Sequence, residues 1–301
     1  MFRLDKAANK VCNKALVVTG LARSGTTIVG KILHSCQGVE YAFEPPMLTS
    51  LFPLMDHLSK NDWMLLYETY LYEEFLVNAL AGRNLNFNPH DDSSILNVKP
   101  GKVIDARMSR SHRKTDIEKN IGDSILAYKI PDILPWIPKL KEYYPGTRVV
   151  IMTRDAIGSL NSILAKEWFS DHSIRYLNVI WPNRYLNGCR VPFWVRENDE
   201  TLWCELNEID RCAYYYVRIN ETLTDITDCI IVRYNEFVEF PEQIIRKLCS
   251  QLDLSWGEKT DALVASVKLQ PKQRDMTLLE RISPSLQEQV LYYSSLSGAT
   301  S

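Results

Sequence analysis

Short apolar runs and helical spacings alternate along this 301-residue chain. Residues 15–19, ALVVT, form a β-branched run closed by Gly20, the pattern of a strand buried on both faces. From Thr26 onward Ile28, Val29, Ile32 and Leu33 recur at helical spacing, and Gly38 stands where such a helix stops. Residues 39–43 predict a second strand ending at Glu44-Pro45-Pro46, and residues 61–80 a helix. Clusters of Gly, Asn, Pro, Asp and Ser make residues 83–113 loop-rich in expectation. Strands then follow at 124–130, 148–152 and 229–233. Helices are expected at about 131–144, 156–168 and 209–223, with the last at 241–252. Residues 169–203 are aromatic and less regular. Strands alternating with helices imply an α/β fold, with a central parallel sheet flanked by helices. We read residues 1–301 as a single domain, with its core at about 15–256 and an insertion at about 169–207.

Composition narrows the class. A chain of this length buries roughly three quarters of its extended surface and needs no disulfide or metal staple. Lys and Arg number 35 against 37 Asp and Glu, a net charge of −2, which argues against a nucleic-acid binder. With 46% hydrophobic and 24% charged residues, the chain is not globally disordered. The seven cysteines form no CxxC pair, so reduced, mostly buried thiols are expected. The apolar run after Lys14 is too short for a signal peptide or a membrane span, and no other stretch approaches the length needed to cross a bilayer. A soluble cytoplasmic protein without a membrane partner is the expectation.

The candidate chemistry begins at Gly20-Leu21-Ala22-Arg23-Ser24-Gly25-Thr26-Thr27, between the first strand and helix. Glycines let consecutive N–H groups turn inward, and the helix N-terminus adds positive potential, so this loop is an anion cradle. It is not a Walker A loop, because Thr26 stands where GxxxxGK[ST] requires Lys, and the cation has moved to Arg23. A strand-end Arg154 can fork onto a second phosphate. Ser162, two turns into the next helix, can add a hydroxyl.

These blocks resemble the sulfotransferases that use 3′-phosphoadenosine 5′-phosphosulfate (PAPS). Arg23 followed by Ser-Gly-Thr-Thr is similar to the family's 5′-phosphosulfate loop, and Arg154 with Ser162 to its 3′-phosphate site. Lys129-Ile130-Pro131 resembles a K-x-P strand end, and Arg233-Tyr234-Asn235-Glu236 an R-Y-E-D block. Asn235-Glu236 departs from the usual E-D, and Ala156 replaces a common Pro. The resemblance implies a P-loop-like sulfotransferase fold and a transfer from PAPS to a hydroxyl or amine of a small-molecule or carbohydrate-like acceptor. Fixed cations then serve in place of Mg²⁺, and no metal is expected.

By the same resemblance Glu44 is the general base, as in the carbohydrate and tyrosylprotein enzymes. The competing reading is a salt bridge to a loop Arg. None of the five histidines, His34, His57, His90, His112 and His172, matches the base of the steroid and phenol enzymes. Arg23 and Lys129 are the transition-state cations that the resemblance implies, the other reading of Lys129 being an exposed strand-end lysine. Ser24, Gly25, Thr26 and Thr27 supply backbone and hydroxyl donors to the 5′-phosphate, and Lys272 and Arg274 either close over the 3′-phosphate, as a late basic loop does in many relatives, or are generic surface charge. Trp168, Trp181, Trp194 and Trp203, with Phe169, Tyr176, Tyr185 and Phe193, form either an acceptor wall or ordinary core. The basic run Arg107, Arg110, His112, Arg113 and Lys114 is either an anionic-acceptor patch or a solvated loop. The alternatives are a P-loop nucleotide or small-molecule kinase and a nucleotide-binding module without catalysis.

Overall fold

The computed structural model describes residues 2–109, 113–119, 121–177, 182–268 and 274–297. Helix α1 (Lys6–Cys12), capped by the Asp5 carboxylate, precedes strand β1 (Leu16–Gly20). Helix α2 (Thr26–Ser35) leads to β2 (Val39–Phe43) and the short α3 (Pro46–Leu51). Helix α4 (Lys60–Glu68) continues through a π-helical stretch, Thr69–Val77, to Leu80. After α5 (Gly101–Met108) come β3 (Ile125–Lys129), α6 (Ile137–Tyr143), β4 (Arg148–Thr153) and α7 (Ala156–Leu164). An antiparallel hairpin, β5 (Asn183–Leu186) and β6 (Cys189–Pro192), lies outside the main sheet. Helix α8 (Glu208–Asn220), β7 (Ile230–Arg233), α9 (Pro241–Gln251) and α10 (Thr260–Ala265) follow, and α11 (Pro284–Leu296) closes the fold.

The sheet is parallel throughout, in the order β2-β3-β1-β4-β7. Its central strands are apolar on both faces because helices cover both. Val17, Val149 and Ile151 face one apolar cluster with α4 and α8, whereas Leu16, Val18, Val150 and Met152 face another with α2 and α9. The chain runs from β1 outward to β2 and β3 on one side, then crosses to β4 on the other. That reversal opens a crevice at the carboxyl ends of β1, β3 and β4, where α/β sheets bind ligands.

Three expectations are corrected. Residues 83–113 are not all loop. Ile104 of α5 packs with Ile95 and Val98, and Arg107 makes a buried two-pronged ion pair to Glu40 (2.6 and 3.0 Å). The aromatic segment has more order than its pattern suggests, with the hairpin and two short helices, Asp171–Tyr176 and Glu200–Glu205. The helix at 241–252 is not the last, because α11 packs across α7 and α8. Five of the seven cysteines are buried. Among the described residues no helix is long and apolar enough to cross a membrane, and no group of three metal-ligating side chains comes together.

Candidate active site

Strand β1 ends in a conformation that only glycine tolerates well. Gly20 has φ +131°, and a Cβ there would lie 2.2 Å from the Met152 carbonyl oxygen of β4. The chain then turns through Arg23, itself left-handed at φ +73°, to Gly25 at φ +90°, the N-cap of α2. No side chain caps α2, so its first-turn N–H groups are left for a ligand at the sheet's carboxyl edge. Gly25, Thr26 and Thr27 line a cavity of about 610 Å³ there, within the size range of small-molecule sites.

Ser24 departs from the expectation that it donates to a phosphate. Its hydroxyl reaches the carbonyls of Leu21 (2.5 Å) and Met152 (3.2 Å), and its N–H bonds Leu21 O (3.2 Å). The side chain is fully buried and braces the loop from below. The sequence pattern names the residue but not the direction of its side chain.

At the opposite wall, Arg154 leaves the end of β4 and Ser162 lies two turns into α7, both on the cavity. Arg154 Nη1 donates to the Arg23 carbonyl (2.8 Å), and Arg23 Nε donates to Ser162 Oγ (3.3 Å). Loop, strand end and helix are thus tied together before any ligand arrives. The Arg154 guanidinium stacks on the Tyr234 ring at 4.4 Å, and its Nε, buried, has no partner among the described residues. Burial pulls this guanidinium below its ordinary value. Tyr234 and Asp155 oppose that shift, while Arg274 and Arg23 add to it. Cations that depress one another in a buried wall suit an anion.

Arg274 also reaches the cavity, 3.9 Å from Asp155. It is held there because Asn161 bonds the backbone of the next residue, Asp275, in both directions (2.9 and 3.2 Å). Lys272 lies outside the described residues, as do Arg110, His112 and Trp181.

The third wall is built by the ends of β2 and β3. In register Phe43 faces Lys129, so the next residue, Glu44, emerges beside the lysine. Glu44 N–H donates to the Lys129 carbonyl (2.9 Å), and the Lys129 ammonium pairs with the Glu44 carboxylate. Lys129 Nζ also donates to Thr27 Oγ1 (3.1 Å) and sits 4.9 Å from the Phe43 ring. The lysine side chain is 2% exposed and the glutamate 39%. Burial lowers the Lys129 ammonium, and the Glu44 charge and hydrogen bond oppose that shift. Glu44 therefore does make a salt bridge, but to the other candidate residue on the cavity and not to a loop arginine. Its backbone is left-handed at φ +42°, a conformation that costs a non-glycine residue about 1–3 kcal/mol and clusters at functional sites.

Two further cations, Lys31 and Lys268, line the cavity, and Lys31 pairs with Asp92 at 2.9 Å. Sequence reasoning missed them because neither belongs to a motif. No described histidine lines the cavity, and His34 is buried. Trp194, Trp203 and Phe169 pack with Tyr215 as core, whereas Trp168 reaches the cavity. Phe193 lines a narrow groove on the far side of Glu44, with Pro46, Thr49 and Pro131. Lys114 pairs with Glu73. The exposed Tyr176 and Tyr185 line neither the cavity nor the groove.

The cavity thus joins the open N-terminus of α2, a cluster of cations and the Glu44 carboxylate. No curated protein matches the chain by sequence. Among solved structures, the sulfotransferase domain from the Curacin biosynthetic pathway aligns over 98% of both chains at 12% identity, with a TM-score of 0.48. The sulfotransferase domain of the Synechococcus PCC 7002 olefin synthase aligns over 94% of this chain and 93% of its own at 14% identity, with a TM-score of 0.47. Sulfotransferase STF9 from Mycobacterium avium covers 94% of this chain and 76% of its own at 14% identity, with a TM-score of 0.46. A sequence profile described as the sulfotransferase family matches residues 15–258, a span that takes in every strand of the sheet and every lining residue of the cavity except Ser266, Val267, Lys268 and Arg274. On that match the chain belongs to the sulfotransferase family.

Proposed function

We propose that the protein transfers the sulfuryl group of PAPS to a hydroxyl or amine of a small-molecule or sugar-like acceptor, without a metal. The observation that carries this reading is the meeting of Arg23, Arg154 and Ser162 with the Glu44–Lys129 pair around one cavity. The residues present fit the donor. An unpartnered Arg154 Nε, the open N-terminus of α2 and an excess of cations all await anionic groups.

Gly25, Thr26 and Thr27 hold the 5′-phosphate, and Arg154, Ser162 and Arg274 the 3′-phosphate, with Lys272 assigned there by the sequence alone. The donor supplies an electrophilic sulfur. Glu44 takes the acceptor proton as the new O–S or N–S bond forms and the old S–O bond breaks. Arg23 and Lys129 neutralise the charge left on the departing phosphate oxygen, the kind of fixed electrostatic stabilisation that dominates group transfer. Residues 169–207, with Trp168 and Phe193 at the site's edge, belong to the acceptor side.

Calorimetric titration with 3′-phosphoadenosine 5′-phosphate (PAP), beside ATP-Mg and AMP, tests the reading. Tight magnesium-independent binding of PAP, well above AMP, is the expected result. Preference for ATP-Mg would replace it with a phosphoryl-transfer enzyme.

A further inference from the structure

We infer that Asp132 is a positioning residue, whose carboxylate fixes the phosphate loop at Ala22 against the strand end that carries Lys129. It follows the Lys129-Ile130-Pro131 strand end and belongs to none of the groups that meet the donor. Its Oδ1 accepts the Ala22 N–H at 3.0 Å and the Tyr215 hydroxyl at 2.5 Å. The same Ala22 N–H also reaches the Tyr215 hydroxyl oxygen at 3.2 Å, so the three groups close a triangle. Asp132 N–H donates to the carbonyl of Gly20, the residue that opens the loop (3.0 Å). One residue thereby bonds the loop twice, through its backbone at Gly20 and through its side chain at Ala22.

The arrangement is costly by itself, which argues for a purpose. Asp132 is left-handed at φ +67° and 7% exposed, and Tyr215 is 1% exposed. A buried carboxylate is held in a strained backbone, where an apolar residue would pack without desolvation. The charges that face it are Lys129 from β3 and Glu44 from the end of β2, both on the cavity, while Tyr215 approaches from α8. Asp132 therefore links the base-and-cation pair to the loop backbone beside Arg23. Both of its donors go to Oδ1, so an asparagine oxygen can take over the same two bonds.

The experiment uses the full chain and the variants Asp132→Asn, Asp132→Ala and Tyr215→Phe. Amide hydrogen exchange over residues 20–25 reads the loop directly and needs no ligand. PAP titration reads the consequence for binding, and this second measurement rests on the function proposed above. Asp132→Ala is expected to raise exchange at Ala22 about tenfold or more and to weaken PAP about tenfold. Asp132→Asn should restore both to within about threefold, and Tyr215→Phe should fall between. Unchanged exchange in Asp132→Ala overturns the inference. So does an Asp132→Asn enzyme that binds PAP and protects Ala22 normally yet turns over a hundredfold more slowly, since Asp132 would then act on the acceptor proton. Should Asp132→Ala fail to fold, Asp132→Gly removes the same carboxylate on a backbone at φ +67° that glycine tolerates, and unchanged exchange there overturns it instead. A wild-type chain that ignores PAP would refute the donor reading and leave the exchange result to decide the clamp.

Discussion

Glu44 and Lys129 are joined twice, once through backbone and once through side chain. The Glu44 N–H meets the Lys129 carbonyl at 2.9 Å, and the Lys129 ammonium pairs with the Glu44 carboxylate. The first bond continues the β2–β3 ladder by one residue, so sheet register, not loop packing, sets where the carboxylate stands. A carboxylate placed by a strand end is held more firmly than one on a free loop, as the proposed in-line transfer requires.

Glu44→Gln removes the proposed proton acceptor and keeps the shape. Turnover is expected to fall by about two to four orders of magnitude, the range for loss of a general base, with PAP affinity changed no more than about threefold. The buried Lys129 loses its counter-charge, so its ammonium should be depressed further than burial already holds it. Steady-state kinetics beside calorimetry separates the two effects. Full turnover in this variant would move the base elsewhere.

Arg154→Ala tests the other wall. Besides its proposed contact with the donor, Arg154 ties down the Arg23 carbonyl at 2.8 Å, so the variant loses that contact and a loop brace together. Donor affinity should drop by roughly 2–4 kcal/mol, the scale for leaving a desolvated charge unpaired. Arg154→Lys keeps the charge and loses the fork, and is expected to recover only part of it. Unaltered PAP affinity in Arg154→Ala would remove this residue from the site.

The parts of this site that the sequence reveals are the contiguous ones. Residues 15–33 read as strand, loop and helix because β1 and α2 are short, strongly apolar and separated by glycines whose φ values the loop needs. Arg154 and Ser162 share one strand–helix unit, so their spacing shows in the chain itself. Asp132 and Tyr215 meet across 83 positions and carry no local signature, so only the packed fold pairs them. Helix α5 was hidden among turn-forming residues because a partner outside the segment stabilises it, through the Arg107–Glu40 ion pair. Ser24 shows a third kind of loss. Its identity belongs to the motif, but the direction of its hydroxyl follows from carbonyls at Leu21 and Met152, the second of them on another strand.

Gly20→Ala should cost stability before it costs chemistry. The added Cβ would stand 2.2 Å from Met152 O, on a backbone at φ +131° that L-residues seldom adopt, and the obstacle is backbone that cannot swing away. Strain and overlap together are expected to lower unfolding free energy by about 3 kcal/mol or more in a denaturant titration. A change under about 0.5 kcal/mol would mean that the loop relaxes freely, contrary to its bracing by Ser24, Arg154 and Asp132.

Asp132→Asn gives a pH signature whose sign can be fixed in advance. Burial pushes the Asp132 carboxyl up to about 7, although the Tyr215 hydroxyl, the Ala22 N–H and the Lys129 charge pull it down. In the unfolded chain the same group titrates near 3.9. Between those values the folded protein holds a proton that the unfolded chain has released, so this group's contribution to stability is greatest in acid. It is lost as pH rises from about 4 through about 7. Asparagine carries no such proton. The stability of Asp132→Asn relative to the parent should therefore climb across that window and level off above it, by an amount on the order of 1–4 kcal/mol. Paired denaturant titrations at pH 4.5, 6 and 8 measure the difference and cancel groups that titrate alike in both proteins. A flat difference would show that Asp132 is ionised throughout, held so by Lys129 and its two donors. The clamp on Ala22 would then be a full carboxylate at every pH at which the enzyme works.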